Sequence, residues 1–360
     1  MLLNGICPYF TMFPLRFPHA LLKRHGEKGD AVLDPFAGRG TTLYASRLLG
    51  MTAYGVDANP VATAISQAKL ANTTPGRVVA AARLILEQWP EAADVPGGEF
   101  WELAFREEVL GQLCRLREGL LNNCRSDSRK ALRAVILGGL HGPLMKSRPS
   151  YFSNQCPRTY APKPAYSVRF WKERNMMPPA VDVVDLILRR GERYFGEEET
   201  VADGQVVEGD SQDAQSFGDF EKEVGWIITS PPYYGMRTYV PDQWLRRWFV
   251  GGSSRVDYSA EGQLPHSSEE DFTDGLRTVW RNCANVAKRG CRMVVRFGAI
   301  NDRKVDAREM IGNSLRGTSW RLQTCRRAGS ASAGRRQADS FVTAKGALEE
   351  YDFWAVLEPH

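Results

Sequence analysis

Two short strings hold the residues with the clearest chemical use. They are Asp34-Pro35-Phe36-Ala37-Gly38-Arg39-Gly40-Thr41-Thr42 and Thr229-Ser230-Pro231-Pro232-Tyr233-Tyr234-Gly235. In the second string, consecutive prolines fix the chain, because each ring locks φ and removes an N–H donor. Such a turn can hold the Ser230 hydroxyl and the Pro231 carbonyl as acceptors for an exocyclic NH2 group, and neither needs to be a strong base. An aromatic amine is a poor nucleophile because its lone pair is delocalised into the ring. Two acceptors drawing on its protons favour the pyramidal form, whose lone pair can attack a methyl sulfonium. Tyr233 is suited to stack on a base turned out of a duplex, and turning out is required because a paired amine is unreachable.

In the first string, Gly38 and Gly40 allow a backbone to approach a ligand where a Cβ would collide. Asp57 ends the next apolar run, about twenty residues on, where a carboxylate meets ribose hydroxyls. This spacing suits a nucleoside cofactor, although an ordinary strand, turn and helix would share it. The order G-R-G-T-T departs from the G-x-G-x-x-G dinucleotide pattern and lacks the G-K-[ST] of a phosphate loop. Asp210 follows Gly209 at the end of a third run. It can accept from an adenine amino group or serve only as a turn residue.

Positioning these groups requires an α/β frame. AVLD (31–34), TAYGVD (52–57), QVVEGD (205–210), GWIITS (225–230) and CRMVVRFG (291–298) read as buried strands of a largely parallel sheet. WRLQTC (320–325) and YDFWAVLE (351–358) read as an antiparallel pair at one edge. Crossover helices are expected from Thr41 or Thr42 to Leu49, and from Pro60 to Leu70 behind an Asn59 cap. The interval between the second and third strands is far too long for one crossover, so it must be an inserted subdomain.

The insertion begins with helical periodicity and then changes character. Between Lys146 and Arg174 the basic residues Lys146, Arg148, Arg158, Lys163, Arg169, Lys172 and Arg174 interleave with Tyr151, Phe152, Tyr160, Tyr166, Phe170 and Trp171. That pattern suits phosphates and stacked bases, and for any one residue a solvated loop packing its aromatics on the core explains it as well. The following MRTYVPDQWLRRWF (236–249) adds Arg237, Arg246 and Arg247 as a second candidate clamp, or forms an amphipathic helix with its tryptophans in the core. The expected organisation is a cofactor-binding part over 1–75, an inserted helical and basic subdomain over 76–200, and a catalytic part over 201–360.

The chain has 360 residues, 43% of them hydrophobic and 25% charged, with a net charge of +5. A mildly basic balance is compatible with nucleic acid and does not prove it. Seven scattered cysteines without C-x-x-C spacing fit reduced thiols, and no structural metal is expected. Without an apolar span or a signal-like start, the cytoplasm is the expected compartment.

Together, LDPFAGRGTT and TSPPYYG resemble the two signature motifs of the amino-methylating DNA methyltransferases. The resemblance implies a Rossmann-like seven-stranded methyltransferase sheet, S-adenosyl-L-methionine as cofactor and double-stranded DNA as partner. It implies that Asp34, Phe36, Gly38, Gly40, Thr41, Asp57 and Asp210 bind the cofactor. The catalytic turn is then Ser230, Pro231, Pro232 and Tyr233. Phe17 and Pro18, in FPLRFPHALLKRH (13–25), are similar to the Phe-Pro segment beside the cofactor's methionine end in that family. The S-P-P-Y form is usual there for cytosine-N4 enzymes, whereas D-P-P-Y or N-P-P-Y is usual for adenine-N6 enzymes.

Arg148, Tyr151, Arg158, Lys163, Arg169, Trp171 and Arg237 are the expected DNA contacts, and a cognate restriction or defence component is a possible companion. Other classes fit less well. A cytosine-C5 enzyme would need a Pro-Cys nucleophile, and Cys156-Pro157 is the reverse order. RNA or protein N-methyltransferases usually carry N-P-P-Y, and a non-catalytic DNA-binding subunit would not need both motifs intact.

Overall fold

In the computed structural model, the described residues are 2–9, 13–144, 149–157, 161–197, 200–220, 223–234, 240–256, 268–298, 306–330 and 349–358. The strands are β1 (Ala31–Asp34), β2 (Thr52–Asp57), β3 (Asp203–Glu208), β4 (Val224–Thr229), β5 (Ala287–Gly298), β6 (Trp320–Ser330) and β7 (Glu349–Leu357). The helices through the insertion are α1 (Arg16–His25), α2 (Thr41–Leu48), α3 (Pro60–Lys69), α4 (Pro75–Gln88), α5 (Glu99–Ala104), α6 (Glu107–Asn122), α7 (Asp127–Gly139), α8 (Pro164–Glu173) and α9 (Val183–Phe195). The last three are α10 (Trp244–Phe249), α11 (Glu269–Asn285) and α12 (Ala307–Leu315).

All seven strands form one sheet in the order β3-β2-β1-β4-β5-β7-β6. β1 to β5 pair in parallel, while β7 runs antiparallel to both β5 and β6. This is the mixed, seven-stranded α/β architecture expected from the sequence. Every residue of β1 and β4 is buried, as a parallel strand covered on both faces requires. One core lies between the sheet and α11 and α12, built around Ile227, Phe272, Trp280, Met293, Phe297 and Phe353. The other packs Leu21 and Leu22 of α1 and Ala45 of α2 against Val32, Trp226 and Val294.

The strand order reverses between β1 and β4. In open α/β sheets, ligand sites lie outside the carboxyl ends of the strands at such a switch point. Asp34 ends β1 and Ser230 follows β4, so the two motif strings flank that crevice.

The chain divides into two compact units. The sheet unit comprises 9–66, 199–238 and 260–360, and the helical unit comprises 1–8, 67–198 and 239–259. The helical unit therefore gathers three chain segments instead of one continuous insertion. Side chains tie it together internally: Arg190 donates to the Ile6 carbonyl, and buried Arg246 donates to the carbonyls of Leu137 and His141. Arg246 is thus a structural residue, and α10 follows the amphipathic alternative, with Trp244, Leu245, Trp248 and Phe249 buried. Among the described residues no helix is long and apolar enough to cross a membrane. No disulfide joins the cysteines among the described residues.

Several boundaries differ from the sequence reading. β3 starts at Asp203 and stops before Gly209 and Asp210. β5 begins at Ala287 through Lys288, Arg289 and Gly290, whose polarity hides the strand. The helical periodicity of the insertion runs unbroken through 100–121, whereas the structure interrupts it at Phe105 and Arg106, both extended, where Glu107 and Glu108 open a new helix with the acidic first turn its dipole favours.

Candidate active site

The first string folds as a β1–turn–α2 unit with its two glycines in the left-handed region, Gly38 at φ 52° and Gly40 at φ 71°. Their reasons differ. At Gly40 an added Cβ would lie 3.0 Å from Ser66 Cα, so α3 excludes a side chain there. At Gly38 the nearest atom to such a Cβ is its own turn's Phe36 carbonyl at 3.8 Å, leaving that side open. The close approach expected of both glycines is thus internal packing at Gly40 and available to a ligand only at Gly38.

Asp57 organises the same turn. Its Oδ2 accepts from the Gly38 N–H at 2.7 Å and its Oδ1 from the Asn59 N–H at 2.8 Å. Ser66 Oγ completes the brace by donating to the Gly38 carbonyl at 2.9 Å. Burial of the Asp57 carboxylate raises its pKa to about 6, against the lowering effect of those two N–H donors. Thr41, the first residue of α2, carries a buried hydroxyl without a hydrogen-bond partner among the described residues. In the same turn as the open face of Gly38, such an orphaned oxygen is a position for a polar ligand group.

Asp34 joins the two strings. Its Oδ1 accepts from Thr229 Oγ1 at 2.6 Å and from the Phe36 N–H at 3.1 Å, so the residue before Ser230 is bonded to the start of the glycine turn. Thr42 Oγ1 reinforces the link by donating to the Ile228 carbonyl at 3.0 Å. Asp34 is fully buried, and burial raises its pKa to about 6 in spite of the Thr229 and Thr42 hydroxyls. Phe36 is half-buried, with its ring edge-on to Trp280 at 6.3 Å.

In the second string Ser230, Pro232 and Tyr233 are half-buried and Pro231 is buried. Tyr233 donates to Glu350 Oε1 at 2.8 Å and meets Phe297 edge-to-face at 5.3 Å. Phe17 is half-buried with the Arg296 guanidinium 3.6 Å from its ring centroid, and Arg296 is held by a two-point pair with Asp352. Pro18 is buried on α1. Asp210 is exposed and accepts from the Gln212 N–H at 2.9 Å, which is the turn role left open above.

The expected DNA contacts separate. Arg148, Arg158 and Arg237 lie outside the described residues. Trp171 is a correction: it is fully buried, donates to the Gln155 carbonyl at 2.9 Å and packs on Phe100, so its ring has no face for a nucleotide. Tyr151 is half-buried over Gly142, where a Cβ would overlap its ring. Arg169 and Lys163 are exposed, the latter 3.7 Å from buried Asp242. Arg174 lies 4.1 Å over the buried Phe170 ring and Tyr166 stacks on it at 6.1 Å; Tyr166, Arg169 and Lys172 are exposed, so α8 keeps a basic and aromatic exposed side.

Comparison with known proteins bears on the cofactor half. Residues 4–68 match the family model described as DNA methylase. The Type II methyltransferase M.MjaII of Methanocaldococcus jannaschii is 39% identical over 67 residues, which is 19% of this chain and 13% of that relative. The match spans only a small part of the relative's length, and the S-P-P-Y turn lies outside the family match. Among solved structures, the rRNA methyltransferase aviRa from Streptomyces viridochromogenes is 12% identical, aligned over 98% of this chain and 88% of its own, at a TM-score of 0.37. TrmN from Thermus thermophilus is 10% identical over 99% and 51%, also at 0.37. The fold assignment rests on the strand order and pairing above.

Sequence reasoning missed Thr229, Ser66 and Glu350. Thr229 carries a signal, since it abuts the S-P-P-Y turn at a strand end.

Proposed function

We propose that the chain is an S-adenosylmethionine-dependent DNA methyltransferase that methylates the N4 amine of a cytosine turned out of double-stranded DNA. The observation that carries this reading is the Thr229–Asp34 hydrogen bond, which fastens the S-P-P-Y turn to the D-P-F-A-G-R-G turn across the switch point of the sheet. The family match over residues 4–68 supports the cofactor half.

The residues present fit that cofactor. The open face of Gly38, the orphaned hydroxyl of Thr41 and the carboxylate of Asp57 offer the turn's polar contacts, and Phe17 and Phe36 offer apolar ones. When bound, S-adenosylmethionine supplies an electrophilic methyl group on a positively charged sulfur. This chain's own residues do the rest by orientation. The Ser230 hydroxyl and Pro231 carbonyl accept hydrogen bonds from the two N–H groups of the target amine and turn its lone pair outward. Tyr233 gives the extruded base a stacking face. Ser230 is a neutral acceptor, consistent with a reaction in which the amine needs alignment more than a strong base. Arg169 and Lys172 on α8, with Arg174 at its C-terminal cap, are proposed to meet DNA phosphates.

The reading is tested by incubating purified protein with duplex DNA and methyl-labelled S-adenosylmethionine. Label is expected in DNA with the parent, and Ser230→Ala is expected to lose most of it while binding cofactor as the parent does. Equal labelling by Ser230→Ala would remove the turn from the mechanism.

A further inference from the structure

We propose that Glu350 is a positioning residue for Tyr233, fixing the ring in the orientation that a stacked target base requires; this rests on the methyl-transfer reading above. The prolines of the catalytic turn fix the backbone and leave the two side-chain torsions of Tyr233 free. Glu350 lies 117 residues further along the chain, on β7, and is 5% exposed. Its Oε1 accepts the Tyr233 hydroxyl at 2.8 Å. A carboxylate acceptor gives a strong, directional bond at the far tip of the ring. Phe297 holds the ring body from the side, edge-to-face at 5.3 Å with an interplanar angle of 76°.

The sheet is shaped to admit this contact. Glu350 pairs opposite Gly298 on β5 and Gly329 on β6. A Cβ at Gly298 would lie 3.4 Å from Tyr233 Cε2 and from Glu350 Cγ, and 3.0 Å from the Glu349 carbonyl. A bare backbone at that register therefore lets the tyrosine lie along the strand and reach the acid. Ring, glycine and carboxylate form one bracket from three elements, which holds the stacking face before a base arrives. Preorganisation of this kind lowers the ordering cost of binding and keeps geometry within catalytic tolerance.

The test is a double-mutant cycle on DNA methylation with a spectroscopic control. Glu350→Ala and Tyr233→Phe are each expected to lower kcat about tenfold, the scale of one hydrogen bond to a charged group. The cofactor Kd should be unchanged, and the double variant should be no slower than either single one. Glu350→Gln keeps an acceptor and should recover most of the rate, which loss of packing would not predict. With 3-fluorotyrosine at position 233, the fluorine resonance should move in Glu350→Ala and stay near the parent's in Glu350→Gln. Additive losses, or an unmoved resonance in Glu350→Ala, would overturn the role. If the parent itself labels no DNA, the methyl-transfer reading falls and the role falls with it, whatever the resonance shows. Labelled DNA with an additive cycle removes only the role of Glu350.

Discussion

Replacing Asp57 by asparagine separates what its charge does to the fold from what it does for the cofactor. In the folded chain the carboxyl is raised from 3.8 to about 6. The native state therefore holds a proton between those values where the unfolded chain has lost it, and stability falls as pH rises through that window and is level above it. At neutral pH the ionised form is disfavoured by about 3 kcal/mol relative to the unfolded chain. Asparagine removes the charge and retains one oxygen for either the Gly38 or the Asn59 N–H, forfeiting the other bond, worth about 1 to 3 kcal/mol. The two effects offset, so Asp57→Asn is expected to melt at the parent's temperature or above it at pH 7. Its stability should also depend less on pH between about 4 and 6, the remaining slope belonging to Asp34, which is raised for the same reason. Cofactor affinity should move the other way, falling about tenfold to a hundredfold as a charged acceptor for ribose hydroxyls is lost. Calorimetric titration with S-adenosylmethionine and thermal melts across pH read both quantities. A stable Asp57→Asn variant with the parent's affinity would refute the ribose role, and a variant that melts far below the parent would refute the electrostatic account.

The glycines of the turn should respond differently to alanine. Gly40→Ala is expected to destabilise the fold by about 2 kcal/mol or more, because α3 blocks the Cβ and the backbone is left-handed. Gly38→Ala should destabilise by about 1 kcal/mol and weaken cofactor binding, because its Cβ enters the open face; denaturant melts and titrations separate the two. Trp171→Phe should lower stability by about 1 to 3 kcal/mol through the lost Gln155 bond and packing, with no change in the salt dependence of DNA binding. Arg169→Ala should leave stability unchanged and reduce that salt slope by about one, as loss of a phosphate contact would.

The sheet was legible because its central strands are short, wholly buried and bounded by turn residues. The apolar runs at 31–34 and 52–57 coincide with β1 and β2, and the antiparallel pair emerged from alternation near the chain's end. The motif strings were legible as residue types. Their mutual attachment was not, since the Thr229–Asp34 and Tyr233–Glu350 bonds each span more than a hundred positions and no local pattern encodes them. Around Trp171 the basic and aromatic composition masks the periodicity: Ser167, Phe170 and Trp171 recur at three- and four-residue spacing and form the buried side of α8. The glycines were recognised as necessary, but sequence alone cannot distinguish a ligand from a neighbouring helix as the reason for a missing Cβ.

The central claim, transfer of a methyl group to the N4 amine of cytosine, is tested most directly by mass spectrometry of nucleosides. They would be released from duplex DNA after incubation with the protein and isotopically labelled S-adenosylmethionine. The account predicts label in N4-methylcytosine, absent from the Ser230→Ala reaction. Label in N6-methyladenine would contradict the base assignment and keep the fold and the turn chemistry, and unlabelled DNA from a protein that binds the cofactor would contradict the account itself.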